Sequence, residues 1–302
     1  MPNVSRKKQK ERKERNIMML TESDKTTIDL LAQKWRVKPE IHPDDFIFHF
    51  VYNHPFFSTK DAAIGYYFDD GQKSAQQLSK LLLEVCNYDS QQKINILEFA
   101  SGYGCVTRHL SNVLPFANVT ACDIHLEAIN FIREKLRAEA ILSKSVPEQL
   151  DLDGKFDVVF ALSFFSHMPK TTFTRWLRKL ISLVKPGGHV IFTTHGLESV
   201  SNLGNVQFDQ EGFWFQPSSE QKDLKTAEYG LACTRPEFVF SQLFSEPQTR
   251  AIYFQEGYWW KHQDVYILRR EERRAGASMK VRGRQLRNAL ARIVKRILPN
   301  RQ

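Results

Sequence analysis

Glu98, Gly102, Gly104 and Asp123 have the types and spacing of a nucleotide-binding turn. The run INILEFASGYGCVTRH, Ile94 to His109, begins with apolar Ile94, Ile96 and Leu97, and Glu98 stands at the end of its extended part. Gly102 and Gly104 then punctuate it before the helix-compatible CVTRHLSNVL. Glycines at such a turn let backbone approach a ligand closely, and in open parallel sheets ligands sit at the carboxyl ends of the strands. Asp123 closes the next apolar run, NVTACDI, about twenty residues further on, where a carboxylate meets ribose hydroxyls. A dinucleotide fingerprint would put a third glycine where Thr107 stands, so NAD is the weaker expectation. Three histidines, His167, His195 and His262, fall at predicted strand ends on the same side, and imidazole is the natural base near neutral pH.

The elements that must position these residues alternate strand and helix, which predicts an α/β fold. After NVTACDI come a helix, HLEAINFIREKLRAEA, a short run, AILSKSV, and a fourth strand with its loop, GKFDVVFALSFFSHMP. The helix TFTRWLRKLISLV then leads into Lys185-Pro186-Gly187-Gly188 and the strand HVIFTTHG. That tetrapeptide reads as a turn, proline stopping the helix and the glycines reversing the chain. Further on, PEFVFSQLF reads as a helix, and RAIYFQEGYWW and QDVYILRR read as strands.

The pattern from Glu98 through Ala100 and Ser101 to Gly102 and Gly104 resembles motif I of the class I S-adenosylmethionine (SAM) methyltransferases. Glu98, Asp123, Asp157 and Pro186-Gly187-Gly188 follow that family's order across residues 94–196. The resemblance implies a seven-stranded Rossmann-like doubly wound sheet, mostly parallel with the last strand antiparallel, behind an N-terminal helical cap. It implies SAM as cofactor, held by Glu98, Ala100, Ser101, Gly102, Gly104, Asp123, Ile124, Ser145, Val146 and Leu162, with Tyr67 of the capping helix closing over it. Two positions depart from the pattern. Ala100 replaces a glycine, which a negative φ there would accommodate. Ser145 and Val146 stand where an acid and a small apolar residue flank adenine, leaving Glu148 as the source of a carboxylate.

Methyl transfer is an in-line displacement, so the protein mainly aligns the acceptor and, for a hydroxyl, removes its proton. His167 is the first candidate base because the family's loop after strand four meets the methyl group, followed by His195 and His262, with Asp264 orienting one of them. An insertion at 197–233 carries Phe208, Phe213, Trp214, Phe215 and Tyr229 and is expected to form either a substrate lid or a loop packed on its own small core. Phe165, Trp214, Tyr229, Trp260 and Asp264 are the expected substrate contacts. A small-molecule hydroxyl is the expected acceptor, with a saccharide or lipid-linked precursor as candidates. Two rivals remain open. One is a nucleic-acid or protein N-methyltransferase recruited by basic tails, although Ser163-Phe164-Phe165-Ser166 lacks the Asn/Asp-Pro-Pro-aromatic signature. The other is a non-catalytic binding protein, which Ala100 and Ser145 would permit.

Charge bounds the partners. The 302-residue chain carries +9, with +5 in residues 1–15 and +10 in residues 269–302, leaving a body of −6. A nucleic-acid substrate calls for a basic surface on the domain that reads it, so nucleic acid is the less favoured partner. The expected organisation is a basic disordered tail at 1–20, a helical cap at 21–90, the catalytic domain at 91–268 and a basic tail at 269–302. The first tail lacks the features of a signal peptide. In the second, Leu286, Leu290, Ile293, Val294 and Ile297 recur at helical spacing, so residues 281–298 suit an amphipathic helix that touches an anionic membrane or docks on the protein itself or on a partner. No apolar run reaches the roughly twenty residues of a membrane span. Cys86, Cys105, Cys122 and Cys233 show no disulfide or metal spacing, so a reducing cytoplasm and no metal are expected.

Overall fold

A computed structural model describes residues 20–218, 224–246 and 248–272. The expected tail at 1–20, apart from Leu20, and the amphipathic helix at 281–298 lie outside the described residues. Among the described residues nine strands form: β1 (Ile94–Phe99), β2 (Ala117–Asp123), β3 (Glu139–Leu142), β4 (Phe156–Ala161), β5 (Val184–His195), β6 (Phe213–Gln216), β7 (Leu231–Thr234), β8 (Thr249–Trp259) and β9 (Gln263–Arg270). Seven of them make one sheet in the order β3-β2-β1-β4-β5-β9-β8, and β6 pairs with β7 as a separate ribbon. Neighbours from β3 to β5 are parallel, and β9 runs antiparallel to both β5 and β8. Six strands therefore share a direction and the last in sequence opposes them, as the resemblance implied.

Side-chain alternation explains why this sheet is covered on both faces. In β4, Val159 joins Leu97, Phe173, Phe192 and Tyr266 in one core, whereas Val158 and Phe160 join Ile96, Ile191, Val265 and Ile267 in the other. The first core is closed by α6 (Lys170–Leu183), the sixth α-helix among the described residues, through Phe173, Trp176, Leu177 and Leu180. The second is closed by α3 (Lys60–Lys80) through Ala75 and Leu78.

The tetrapeptide Lys185-Pro186-Gly187-Gly188 is not a separate turn but lies within β5 as an irregularity. Phe156 pairs with Val184 and Val158 already pairs with His189, so the extra residues loop out of the ladder. Gly187 takes φ +83°, and Lys185 Nζ donates to both carboxylate oxygens of Asp157 at 2.8 and 2.9 Å, closing the bulge. The helix after β2 is also shorter than its pattern: α5 (Leu126–Phe131) widens into a π turn to Leu136 and stops at Arg137, φ +60°.

Ahead of the sheet stand α1 (Glu22–Trp35), α2 (Phe46–Asn53) and α3. Thr21 and Asp24 form a reciprocal capping box on α1, and Asp45 and Thr59 cap α2 and α3, so local chemistry starts each helix. Tyr67 does not close over the cofactor face. It is 1% exposed in the core of this cap, and its hydroxyl donates to Asp45 Oδ2 at 2.7 Å. Buried Arg108 of α4 (Thr107–Val113) donates to the carbonyls of Lys38 and Glu40, tying the cap's connecting loop to the helix that follows motif I.

Candidate active site

The turn after β1 is where the backbone departs most from ordinary geometry. Ala100, Gly102 and Gly104 take φ of +60°, +55° and +82°. The expectation of a negative φ at Ala100 is therefore corrected: an L-residue occupies the left-handed region there. The turn holds it, because Ser101 N–H donates to the Cys122 carbonyl at 3.2 Å and Gly102 N–H to Asp123 Oδ2 at 2.8 Å. Ala100→Gly is expected to raise stability by about 1 kcal/mol in urea unfolding, the relief of left-handed strain outweighing the entropy that glycine adds to the unfolded chain.

The geometry fits a nucleoside cofactor. A Cβ built on Gly102 would meet nothing within 4 Å, so the turn faces open space, and Ser101 Oγ is buried without a hydrogen-bond partner. Asp123 ends β2 at 6% exposure, and exposed Ile124 follows it. Glu98 is 4% exposed and accepts from Thr107 Oγ1 at 2.6 Å. Burial pushes its carboxyl up to about 8 and the Asp123 charge adds to this, while the Thr107 hydroxyl pulls the other way. Ser145 is exposed and Val146 half-buried in the segment after β3, and Leu162 is half-buried after β4. Glu148, the other source of a carboxylate, is paired with Arg175, which donates to its two oxygens at 2.9 and 2.6 Å.

At the neighbouring strand ends the three histidines come together as a row. Ring centroids of His167 and His195 are 6.3 Å apart, and those of His195 and His262 are 5.8 Å apart. What orients the first two is β7 and the residue just ahead of it. His167 Nδ1 lies 2.8 Å from the Gly230 carbonyl and His195 Nδ1 lies 3.1 Å from the Ala232 carbonyl. A carbonyl can only accept, so both rings carry their proton on Nδ1 and present Nε2 as a lone pair. The same holds for His262: Ser199 spends its hydroxyl proton on the His262 carbonyl, so its Oγ accepts from Nδ1 at 3.1 Å. Burial lowers His167 to about 4, His195 to about 3, and His262 also downward, which keeps the row neutral at pH 7.

The loop that carries His167 is fixed by a closed set of hydroxyl bonds that pattern reading missed. Ser163, at φ +57°, donates its N–H to Thr193 Oγ1, which donates to Gln263 Oε1; Gln263 Nε2 returns to Ser163 Oγ at 2.9 Å. Ser166 Oγ donates to the Ser163 carbonyl at 2.6 Å.

Three of the five expected substrate contacts are only half-buried. Tyr229 stacks on His167 at 4.5 Å and 8°, Trp260 stacks on His262 at 6.0 Å, and Trp214 lies on the ribbon. Phe165 and Asp264 are corrected, since both are fully enclosed. Phe165 packs between Phe173 and Phe192 in the core. Asp264 orients no histidine; its Oδ1 accepts from Gly257 N–H at 3.0 Å, its Oδ2 has no partner, and Gly196 leaves no room for a Cβ against it.

A doubly wound sheet with a glycine turn after its first strand, and an acid ending the second, is the arrangement that nucleoside-binding α/β domains use. Residues 97–190 match the family profile described as a methyltransferase domain. That match covers about a third of the chain and agrees with the class I SAM methyltransferase resemblance of its motifs. It is 26% identical over 137 residues to a malonyl-[acyl-carrier protein] O-methyltransferase of Acetivibrio thermocellus, covering 45% of this chain and 48% of that one. It is 27% identical over 168 residues to the protein of that name from Bacillus anthracis, covering 54% and 58%. The chain spans about half the length of these curated relatives. Among solved structures, it is similar to a SAM-dependent methyltransferase of Clostridium acetobutylicum, with 15% identity, TM-score 0.48, and coverage of 66% of this chain and 92% of that one. No group of three or more His, Cys, Asp or Glu among the described residues could hold a metal ion. No described helix is long and apolar enough to cross a membrane.

Proposed function

We propose that the chain is a SAM-dependent methyltransferase acting on a hydroxyl oxygen of a small-molecule acceptor, with His167 as the base. The observation that carries this reading is the tautomer of His167. Its Nδ1–H is committed to the Gly230 carbonyl, which leaves Nε2 unprotonated in the loop after β4, the strand that pairs with β1. Glu98, Ser101, Gly102 and Asp123 would hold the cofactor, which supplies a methyl group on a sulfonium that departs as a neutral thioether. His167 Nε2 takes the acceptor's proton as the new O–C bond forms, and Tyr229, stacked on the same ring, keeps the imidazole from turning. The relatives are named for transfer to oxygen, on malonyl-[acyl-carrier protein], which supports an oxygen acceptor here. Half-buried Tyr229 and Trp260 beside the histidines support a saccharide ring among the acceptors to be screened, free or lipid-linked.

The test is transfer of a labelled methyl group from SAM to a panel of sugars, lipid-linked sugars and phenols. His167→Gln is expected to lower the transfer rate by about 10²-fold or more while S-adenosylhomocysteine binding is kept. Undiminished transfer by that variant would remove His167 from the role.

A further inference from the structure

We infer that His125 occupies, with its imidazole, the place on Asp123 that one ribose hydroxyl of the cofactor requires, so that cofactor entry displaces it. The inference rests on the cofactor reading above. An ionised carboxylate offers about four lone-pair sites. Protein donors fill three of them. Gly102 N–H takes one on Oδ2 at 2.8 Å, and on Oδ1 the His125 N–H and the His125 imidazole Nδ1 take the other two, at 3.0 and 2.8 Å. A ribose diol brings two hydroxyl donors, and one site is left for them.

Of the three donors, only the imidazole can leave. The two backbone N–H groups belong to the turn and to the chain entering α5, and together they already fix the carboxylate's rotamer. The imidazole therefore adds no orientation that the backbone lacks. It is also placed to move, being 23% exposed where Asp123 is 8% exposed at the side chain.

A second observation points the same way. His125 is the N-cap residue of α5, at φ −88° and ψ 116°, yet its side chain makes no capping bond. Ser, Thr, Asp or Asn is strongly preferred at such a position because the side chain then accepts an orphan helix N–H. Here the side chain points back to Asp123 instead, so the chain forgoes helix stability for a contact with the cofactor acid. A bond that must be broken on entry and re-forms on exit lowers affinity and speeds release, which suits a cofactor exchanged once per turnover.

The test is calorimetric titration of the full chain with S-adenosylhomocysteine, with a thermal melt of each protein. His125→Ser removes the imidazole and supplies a cap, so it is expected to raise Tm and tighten binding by about 3- to 10-fold, the worth of one net hydrogen bond. His125→Ala removes the imidazole without adding a cap, and is expected to tighten binding similarly with no rise in Tm. Unchanged or weaker binding in both variants would overturn the inference while leaving the cofactor reading intact. A folded wild-type protein that binds no S-adenosylhomocysteine would overturn both.

Discussion

Asp123→Ala is expected to weaken S-adenosylhomocysteine binding by about 100-fold or more, close to 3 kcal/mol, while the chain stays folded. Two losses combine. The first is the acceptor that the ribose hydroxyls would use under the proposed function. The second is internal: Asp123 Oδ2 holds Gly102 N–H, and with it the left-handed turn that faces the cofactor, so the substitution also loosens the surface against which the rest of the nucleoside lies. Asp123→Asn separates the two. If its amide is turned so that Oδ1 keeps the Gly102 bond, the turn survives and binding falls less than with alanine. Calorimetry on both variants reads the difference, and equal losses would mean that the turn does not depend on this bond.

Asp264→Asn is expected to stabilise the protein at pH 8 by about 2 to 4 kcal/mol in urea unfolding, and by little at pH 4. Burial holds the Asp264 carboxyl at about 7 in the folded chain, against an ordinary 3.8, and Glu256 and Glu198 push it the same way. The folded state thus binds this proton more tightly than the unfolded state does. Its favourable contribution is full below about pH 4 and is lost as pH rises through about 7. Asparagine can accept from Gly257 N–H as the carboxyl does and carries no charge to desolvate. Glu98 titrates with the same sign, whereas the lowered His167 and His195 destabilise the fold as pH falls below 6.5. The difference between wild-type and variant curves cancels those groups and leaves Asp264. A pH-independent difference would mean that this carboxyl is solvated in solution.

What pattern reading could see was decided by periodicity and by turn chemistry. Ile94, Ile96, Asp123 and Val158 lie in runs whose length and apolar content leave only a buried strand, so the sheet and its acids were legible. The β8–β9 hairpin also followed, as did the placing of the three histidines at strand ends. Local turn geometry was less accessible. Ala100 gave no sign of its positive φ, because a hydrogen bond from the adjacent glycine to an acid over twenty residues away holds it there. Tyr67 was misplaced because helical spacing cannot tell a residue facing the sheet's open end from one facing a neighbouring helix, and Asp45, its partner, lies 22 residues earlier. Asp264 read as a substrate contact because its place beside a turn is indistinguishable in sequence from the enclosed site it occupies against Gly196. His125 did carry a signal: a histidine at a helix start directly after the acid, where a capping residue is the better choice.

The ribbon of β6 and β7 joins two properties that are usually separable. The carbonyls of Ala232 in β7 and of Gly230 just ahead of it decide which nitrogen of His195 and His167 bears the proton, and Trp214 of β6 and Tyr229 are the side chains proposed to meet an acceptor. Exchanging this insertion for another to alter acceptor choice would therefore rewrite the proton inventory of the site at the same stroke. Single side-chain changes at Trp214 and Tyr229, which leave the carbonyls in place, are the route by which selectivity could drift without disarming the base.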